Sequence, residues 1–176
     1  MSVDFNTVLP TFADDNVINV VIEISEGSIL KIEYRRDLHT FELDRVEPAI
    51  FAKPCNYGFI PATLDEDGDE LDALVVSPEK LPMGLHLKAR IIGMLNFEDD
   101  GEMDHKVICV PEDNRDDGNK ITSLEDLGDR WKQKIEHHFT HYKDLKKPGS
   151  TKVLGFGGVE DALAVIKDCQ KRWSEQ

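Results

Sequence analysis

Short strand-type segments fill the first 110 residues of this chain, and helical patterns come only after them. Each segment is rich in β-branched residues or alternates polar with apolar side chains, and both patterns are typical of strands. The predicted strands are NVINVVIEI (16–24), ILKIEY (29–34), TFELDRV (40–46), DALVV (72–76), HLKARIIGML (86–95), HKVICV (105–110) and the later KVLGF (152–156). The proline-bounded PCNYGFIP (54–61) is predicted to be an irregular connection.

Two amphipathic helical patterns follow the strands, at 129–145 and 160–173, and each places its apolar residues on one face. TSLEDL (122–127) pairs Thr122 with Glu125 as in a capping box and predicts a short turn before the first helix. Helices that do not alternate with the early strands argue against a parallel α/β fold. The order of elements therefore predicts an α+β, mainly β fold: a small β-barrel with two packed α-helices.

The bulk properties limit the number of domains and the kinds of partner. A length of 176 residues suits one core, so the whole chain, 1–176, is predicted to be a single domain. The formal net charge of −14 argues against a nucleic-acid partner. No run approaches the roughly 20 apolar residues of a membrane span, and the N-terminal residues have no secretory pattern. Three scattered cysteines predict a reduced, cytoplasmic setting.

Acidic residues concentrate in two clusters beside predicted strands. DEDGDELD (65–72) runs directly into ALVV, and EDDGEMDHK (98–106) lies between two strands. One interpretation is a solvated loop, because carboxylates and glycine favour exposed turns, and this explains a third acidic run at 111–119. An EF-hand calcium loop does not fit, because neither register starting at Asp65 or Asp67 supplies the required ligands and glycine.

A magnesium site is the other interpretation of the two clusters. Mg²⁺ prefers oxygen ligands and combines one or two carboxylates with phosphate oxygens of a substrate. Carboxylates from neighbouring strand ends could hold several close metals, which indicates phosphoryl transfer or hydrolysis. An acidic protein needs cations to face a phosphate, and the candidates are Lys31, Arg45, Lys106 and Lys143.

The segment DGDELDA (67–73) matches a family signature that fixes three aspartates and an apolar position. Other segments agree with the same family in order and spacing: VVIEI (20–24), KIE (31–33), DR (44–45), PCNYGFIP (54–61), DDGEMDHK (99–106) and HYKDL (141–145). The chain therefore resembles the family I soluble inorganic pyrophosphatases of bacterial type, from about residue 16 to the C-terminal helix. The resemblance implies an OB-like five-stranded β-barrel with two packed α-helices, hydrolysis of inorganic pyrophosphate to two phosphates, and a homohexamer.

The resemblance also implies a role for each matching residue. Asp69 would be the general base that accepts a proton from a metal-activated water. Several Mg²⁺ ions per active site would be held by Glu23, Asp67, Asp72, Asp99 and Asp104. The substrate would be bound by Lys31, Arg45, Tyr57, Lys106, Tyr142 and Lys143, with Glu33 supporting the site beside Lys31.

Some residues near these motifs are given no role in the chemistry. Three extra acids are predicted to face solvent: Asp65, Glu66 and Glu70. Three histidines of the first long helix are interpreted as surface imidazoles: His137, His138 and His141. From the residues alone, two other functions stay open: a metal-dependent phosphohydrolase acting on nucleotides, and a barrel module that binds metal or oligonucleotide without catalysis. The sequence has no P-loop motif, and its negative charge disfavours oligonucleotide binding.

Overall fold

The computed structural model describes residues 3–176, apart from the side chain at position 117. Within those residues the strands are β1 (Phe12–Asp14), β2 (Val17–Ile24), β3 (Leu30–Arg35), β4 (Thr40–Val46), β5 (Asn56–Phe59), β6 (Asp72–Val75), β7 (His86–Asp99), β8 (Glu102–Met103), β9 (Lys106–Pro111) and β10 (Thr151–Gly157). The α-helices are α1 (Phe5–Val8), α2 (Gly128–His141) and α3 (Val159–Ser174), and short 3-10 helices lie at Ala49–Phe51, Asp117–Lys120 and Leu124–Leu127. No helix in the described range is both long and apolar enough to cross a membrane.

Five strands close into a hydrogen-bonded ring. Each pairs with the next in the order β2, β5, β6, β9, β7, and β7 pairs back with β2. The β6–β9 pairing is parallel, and the other pairings of the ring are antiparallel. β1 extends β2, both β8 and β10 pair with β7, and β3 with β4 forms a separate hairpin. The predicted mainly β fold, a five-stranded barrel with two main helices, is confirmed.

Apolar side chains fix both long helices on the barrel. All eight residues of β2 are buried, because the strand pairs on both sides within the ring. Ile166 and Cys169 of α3 share one core with β2, β6, β7 and β9. Ile135 and Phe139 of α2 belong to a second core, where the Phe139 ring meets Phe97 edge to face at 5.3 Å between centroids. Burying a side chain of this size stabilises the fold by about 1.5–3 kcal/mol.

All seven predicted strands occur, with ends shifted by a few residues, but the prediction for 54–61 is wrong. This segment contains β5, whose four residues are all buried between β2 and β6. The flanking prolines stand outside the paired residues. The Asn56 side chain accepts hydrogen bonds from the backbone N–H groups of Glu26 (3.0 Å) and Leu81 (2.9 Å), so a residue typical of turns stabilises a strand end.

The predicted end of the first long helix is also wrong. α2 ends at His141, and Leu145 is 70% exposed in the turns that follow. The turn directs Tyr142 and Lys143 towards Asp99 at the end of β7, which a continued helix would not do. The predicted cap before α2 is displaced by one residue, because Asp126 rather than Glu125 accepts the N–H groups of residues 122 and 123.

Residues 62–71, within the connection between β5 and β6, are named the acidic loop, and α1 holds one side of it. The Asn6 side chain accepts the N–H of Ala62 at 2.8 Å and donates to Oε1 of Glu70 at 2.5 Å. Arg36 reaches the same loop from the end of β3 and donates to the carbonyl oxygen of Gly68 at 2.9 Å. The loop is therefore fixed by residues that lie far from it in the sequence.

Helix α3 holds the other side of the acidic loop. The N–H of Leu64 donates to the carbonyl oxygen of Cys169 at 3.0 Å, and Arg172 donates to the carbonyl oxygen of Leu64 at 2.8 Å. Arg172 also lies 3.5 Å from Oδ1 of Asp65. As a result Asp65 and Glu70 are only 4% and 8% exposed. The prediction that these two acids face solvent is wrong, whereas Glu66 is exposed as predicted.

Gly58 tests how closely β5 packs on β2. A Cβ atom at this position would lie 2.0 Å from the carbonyl oxygen of Val21, which is backbone and cannot move aside alone. In urea denaturation, we expect Gly58→Ala to lower the free energy of unfolding by about 3 kcal/mol or more. Gly149→Ala is the control, because Gly149 has open space and a φ of +74°, so the substitution costs only about 1 kcal/mol of backbone strain. Equal losses would contradict the close approach.

Asn6 tests whether α1 stabilises the acidic loop. We expect Asn6→Ala to lower the free energy of unfolding by about 1–3 kcal/mol, because Glu70 stays buried without its amide donor. Asn6→Asp should cost more than the alanine variant at pH 8, since it places a second carboxylate beside Glu70. Urea denaturation measures both. Losses below about 0.5 kcal/mol, as for an ordinary surface position, would show that α1 does not hold the loop.

Candidate active site

One cavity of about 810 Å³ opens between the barrel, the β3–β4 hairpin and the turn after α2. All of the residues that the sequence assigns to a site line this cavity: Glu23, Lys31, Glu33, Arg45, Tyr57, Asp67, Asp69, Asp72, Asp99, Asp104, Lys106, Tyr142 and Lys143. They come from segments spread over most of the chain, and the closed ring brings them together. The role of each residue stays a prediction.

The strand register decides which side chains meet in the cavity. Asp72 at the start of β6 lies opposite Lys106 at the start of β9 in the parallel pair. Lys31 and Arg45 lie opposite each other in the β3–β4 hairpin. Asp67 and Asp69 project from the acidic loop, which α1 and α3 hold in place. The barrel and its loop thus supply carboxylates, and the hairpin brings cations towards them.

Lys106 is the centre of the polar network at the barrel end. It is 2% exposed and donates to Oδ2 of Asp72 at 2.5 Å and to Oδ1 of Asp104. The Tyr57 hydroxyl donates to the same Oδ2 of Asp72. Burial alone would lower the pKa of Lys106, but the two carboxylates outweigh it and raise this pKa. Burial opposes ionisation of Asp72 too, yet Lys106 and Lys31 hold its pKa below the usual value.

For two other carboxylates, the neighbouring cations offset the cost of burial less than they do for Asp72. Glu23 is 7% exposed on β2 and accepts the N–H of Tyr34 at 2.7 Å. Burial raises the pKa of Glu23 to about 8, although nearby Lys31 opposes the shift. Burial likewise raises the pKa of Asp104 to about 6 against the effect of Lys106. The cavity is lined by ten carboxylate side chains and eight lysine or arginine side chains, so its formal charge is negative.

Most cations around the cavity already have a carboxylate partner. Lys31 lies 3.2 Å from Glu33. Lys143 donates to both oxygens of Asp99, at 2.6 and 2.5 Å, and the Tyr142 hydroxyl donates to the same carboxylate at 2.7 Å.

Arg45 is paired as well, with Glu47 at 2.5 Å and with Asp44. Such pairs fix long side chains at the cavity wall, where their remaining N–H groups can reach a ligand.

Lys53 also lines the cavity, and the sequence interpretation missed it. Its Nζ lies 4.5 Å from the ring centroid of Tyr57 and 5.7 Å from that of Tyr142. Burial, with Lys31 and Lys106 nearby, lowers the pKa of Lys53 to about 7. The signal in the sequence was its position four residues before Tyr57, at the edge of the quoted PCNYGFIP segment.

The histidines of α2 do not form a metal site. His137 and His141 are exposed, as predicted. His138 differs, since it is half-buried against the Tyr142 ring, and burial lowers its pKa to about 3. Across residues 3–176, no group of three or more His, Cys, Asp or Glu side chains stands ready as a metal site. At the centre of the cavity, Lys106 is bonded to Asp72 and Asp104, two of the carboxylates that the sequence prediction assigns to Mg²⁺.

Comparisons with known proteins identify the family of the chain. The family model described as "Inorganic pyrophosphatase" matches residues 20–174. The inorganic pyrophosphatase of Haemophilus influenzae is 57% identical over 174 residues, covering 98% of this chain and 99% of that protein. A crystal structure of an inorganic pyrophosphatase from Neisseria gonorrhoeae aligns with a TM-score of 0.95 at 56% identity, covering 97% of this chain and 99% of that chain. The Thermus thermophilus structure gives 0.89 at 37% identity, covering 98% and 99%.

The family match and the relatives both span nearly the whole chain, and the solved structures share its closed five-stranded ring and its two long helices. On these grounds, the chain belongs to the family I soluble inorganic pyrophosphatases.

Proposed function

We propose that the cavity is the active site of a Mg²⁺-dependent inorganic pyrophosphatase in which Asp69 is the general base. Hydrolysis of inorganic pyrophosphate follows from membership of the family, as does a requirement for a divalent metal. The observation that carries the residue assignment is the cavity itself, which gathers every predicted carboxylate, cation and tyrosine in one space.

The donor set of the cavity fits Mg²⁺. Its candidate ligands are all carboxylate oxygens, which hard cations prefer: Asp67, Asp72 and Asp104, together with Asp99 and Glu23. Lys106 and Tyr57 bond to Oδ2 of Asp72, and Lys106 bonds to Oδ1 of Asp104. No donor in the described part of the chain bonds to Oδ1 of Asp72 or Oδ2 of Asp104, so each carboxylate keeps one oxygen for a metal. Bound Mg²⁺ would neutralise phosphate charge and make a coordinated water more acidic.

Asp69 is suited to accept a proton because its carboxylate has no other task. Its backbone is held at both ends, since its N–H donates to Oδ1 of Asp67 at 3.1 Å and its carbonyl oxygen accepts the N–H of Asp65 at 2.7 Å. Within residues 3–176, no hydrogen bond reaches the Asp69 carboxylate itself. A general base requires a carboxylate that is held in position at the cavity and has no other hydrogen-bond partner, as is the case for Asp69 among the described residues.

The cations and tyrosines bind and orient the substrate in this proposal. Arg45 can hold two phosphate oxygens through its planar fork, whereas Lys31 and Lys143 act as point charges. The Tyr142 hydroxyl stands beside Lys143 on Asp99, so both groups reach the cavity from the turn after α2. Glu33 fixes Lys31 on the hairpin.

The setting of the enzyme is a further part of the proposal. All three cysteines are free and buried, which suits a reducing cytoplasm. The family resemblance supports a homohexamer.

Metal dependence is tested by phosphate release from pyrophosphate. After treatment with EDTA, the protein should release no phosphate, and Mg²⁺ should restore release to a plateau in the millimolar range. ATP under the same conditions should be cleaved more slowly. No release at millimolar Mg²⁺ would contradict the proposal, and faster release from ATP would indicate a nucleotide phosphohydrolase.

The role of Asp69 is tested by Asp69→Asn, which keeps the shape of the side chain and removes the base. We expect kcat to fall by about 10²–10⁴-fold, the usual contribution of general base catalysis, with an unchanged circular dichroism spectrum. Asp168→Asn is the charge-matched control, because Asp168 is exposed on α3 outside the cavity. If kcat of the two variants is the same, Asp69 is not the base.

A further inference from the structure

Lys53 differs from the other cations that line the cavity. Across the described residues, only Lys53 and Lys146 among them lack a carboxylate partner within ion-pair distance. Lys146 is exposed, so water solvates its charge. Lys53 is partly buried, and its ammonium nitrogen lies 4.5 Å from the ring centroid of Tyr57 and 5.7 Å from that of Tyr142.

The backbone of Lys53 is fixed. Its N–H donates to the carbonyl oxygen of Ser28 at 2.9 Å, and its carbonyl oxygen accepts the N–H of Gly27 at the same distance. Pro54, which follows, restricts the chain further. The fixed backbone therefore limits the positions that the Lys53 side chain can take in the cavity, unlike those of a lysine on a flexible surface loop.

The two aromatic rings compensate the charge only in part. A cation over an aromatic face gains about 0.5–2 kcal/mol, which is less than an ion pair with direct hydrogen bonds supplies to a desolvated ammonium. Burial and the neighbouring Lys31 and Lys106 lower the pKa of Lys53, which agrees with a charge that the rings compensate only in part. An anion that enters the cavity would supply the missing partner.

We propose that Lys53 binds a phosphate group, that of pyrophosphate and of its product orthophosphate, and so adds a substrate-binding residue to those assigned from the sequence. The proposal rests on the cavity being the pyrophosphate site. A phosphate group fits because it is small and negatively charged, and pyrophosphate carries two or more negative charges. Its several oxygens can also bond to the neighbouring cations. A bound anion would remove the cost of the unpaired charge, and this gain would contribute to its binding free energy.

The test compares Lys53→Met with Lys53→Arg, and with Lys167→Met as the control for loss of one positive charge, because Lys167 is exposed on α3. Binding of inorganic orthophosphate is measured by isothermal titration calorimetry at saturating Mg²⁺. We expect Lys53→Met to weaken binding about tenfold or more and to raise KM for pyrophosphate. Lys53→Arg should restore most of the affinity, and Lys167→Met should bind like the wild type.

A second measurement separates binding from a structural role. The melting temperature of the ligand-free Lys53→Met protein should rise, since the substitution removes a charge that the two rings compensate only in part, whereas loss of a structural residue lowers it. An orthophosphate affinity of Lys53→Met within twofold of the wild type would overturn the proposal. Because the calorimetry involves no turnover, a wild type that binds orthophosphate through Lys53 but does not cleave pyrophosphate would overturn the proposed function alone.

Discussion

The arrangement of the barrel end depends on the ion pair between the buried Lys106 and the partly buried Asp72. The two residues lie opposite each other at the first position of the parallel β6–β9 pairing. Removing either charge from water alone would cost several kcal/mol, so each is tolerated because the other is present. Tyr57 and Asp104 complete the network and join β5 and the β8–β9 connection to it. The register that places Asp72 opposite Lys106 therefore also determines where the cavity lies.

Around this pair, the cavity shows how a chain with a formal net charge of −14 can receive an anion. Its cations are held by carboxylates that fix them at the wall, as Lys143 is by Asp99 and Lys31 by Glu33. The barrel carboxylates exceed what these cations balance, which leaves room for divalent metals. The negative overall charge of the protein therefore does not exclude a small anionic ligand.

The sequence predicted most of the ring and just over half of the residues that line the cavity, because alternation marks strands and the aspartate signature marks the acidic loop. It failed where long-range contacts decide the outcome. Residues 54–61 contain turn-type residues, but the barrel buries them as β5. Glu70 belongs to an acidic run that is typical of solvent, yet Asn6, 64 positions away, buries it. Lys53 belongs to no charge pattern, and only the folded structure shows that it lacks a partner.

The contacts between α3 and the acidic loop have a consequence for the synthesis of the enzyme on the ribosome. Ribosomes release the chain from its N-terminus, so β5, β6 and the aspartates of the loop emerge long before Cys169 and Arg172. Until those two residues arrive, Leu64 and Asp65 lack the partners that hold the loop in place. The barrel strands can pair earlier, and so can the contacts of Asn6 and Arg36 with the loop, but the α3 side of the loop is held only when the last helix arrives. The last helix to be synthesised thus completes both the core around Ile166 and Cys169 and the support of the acidic loop.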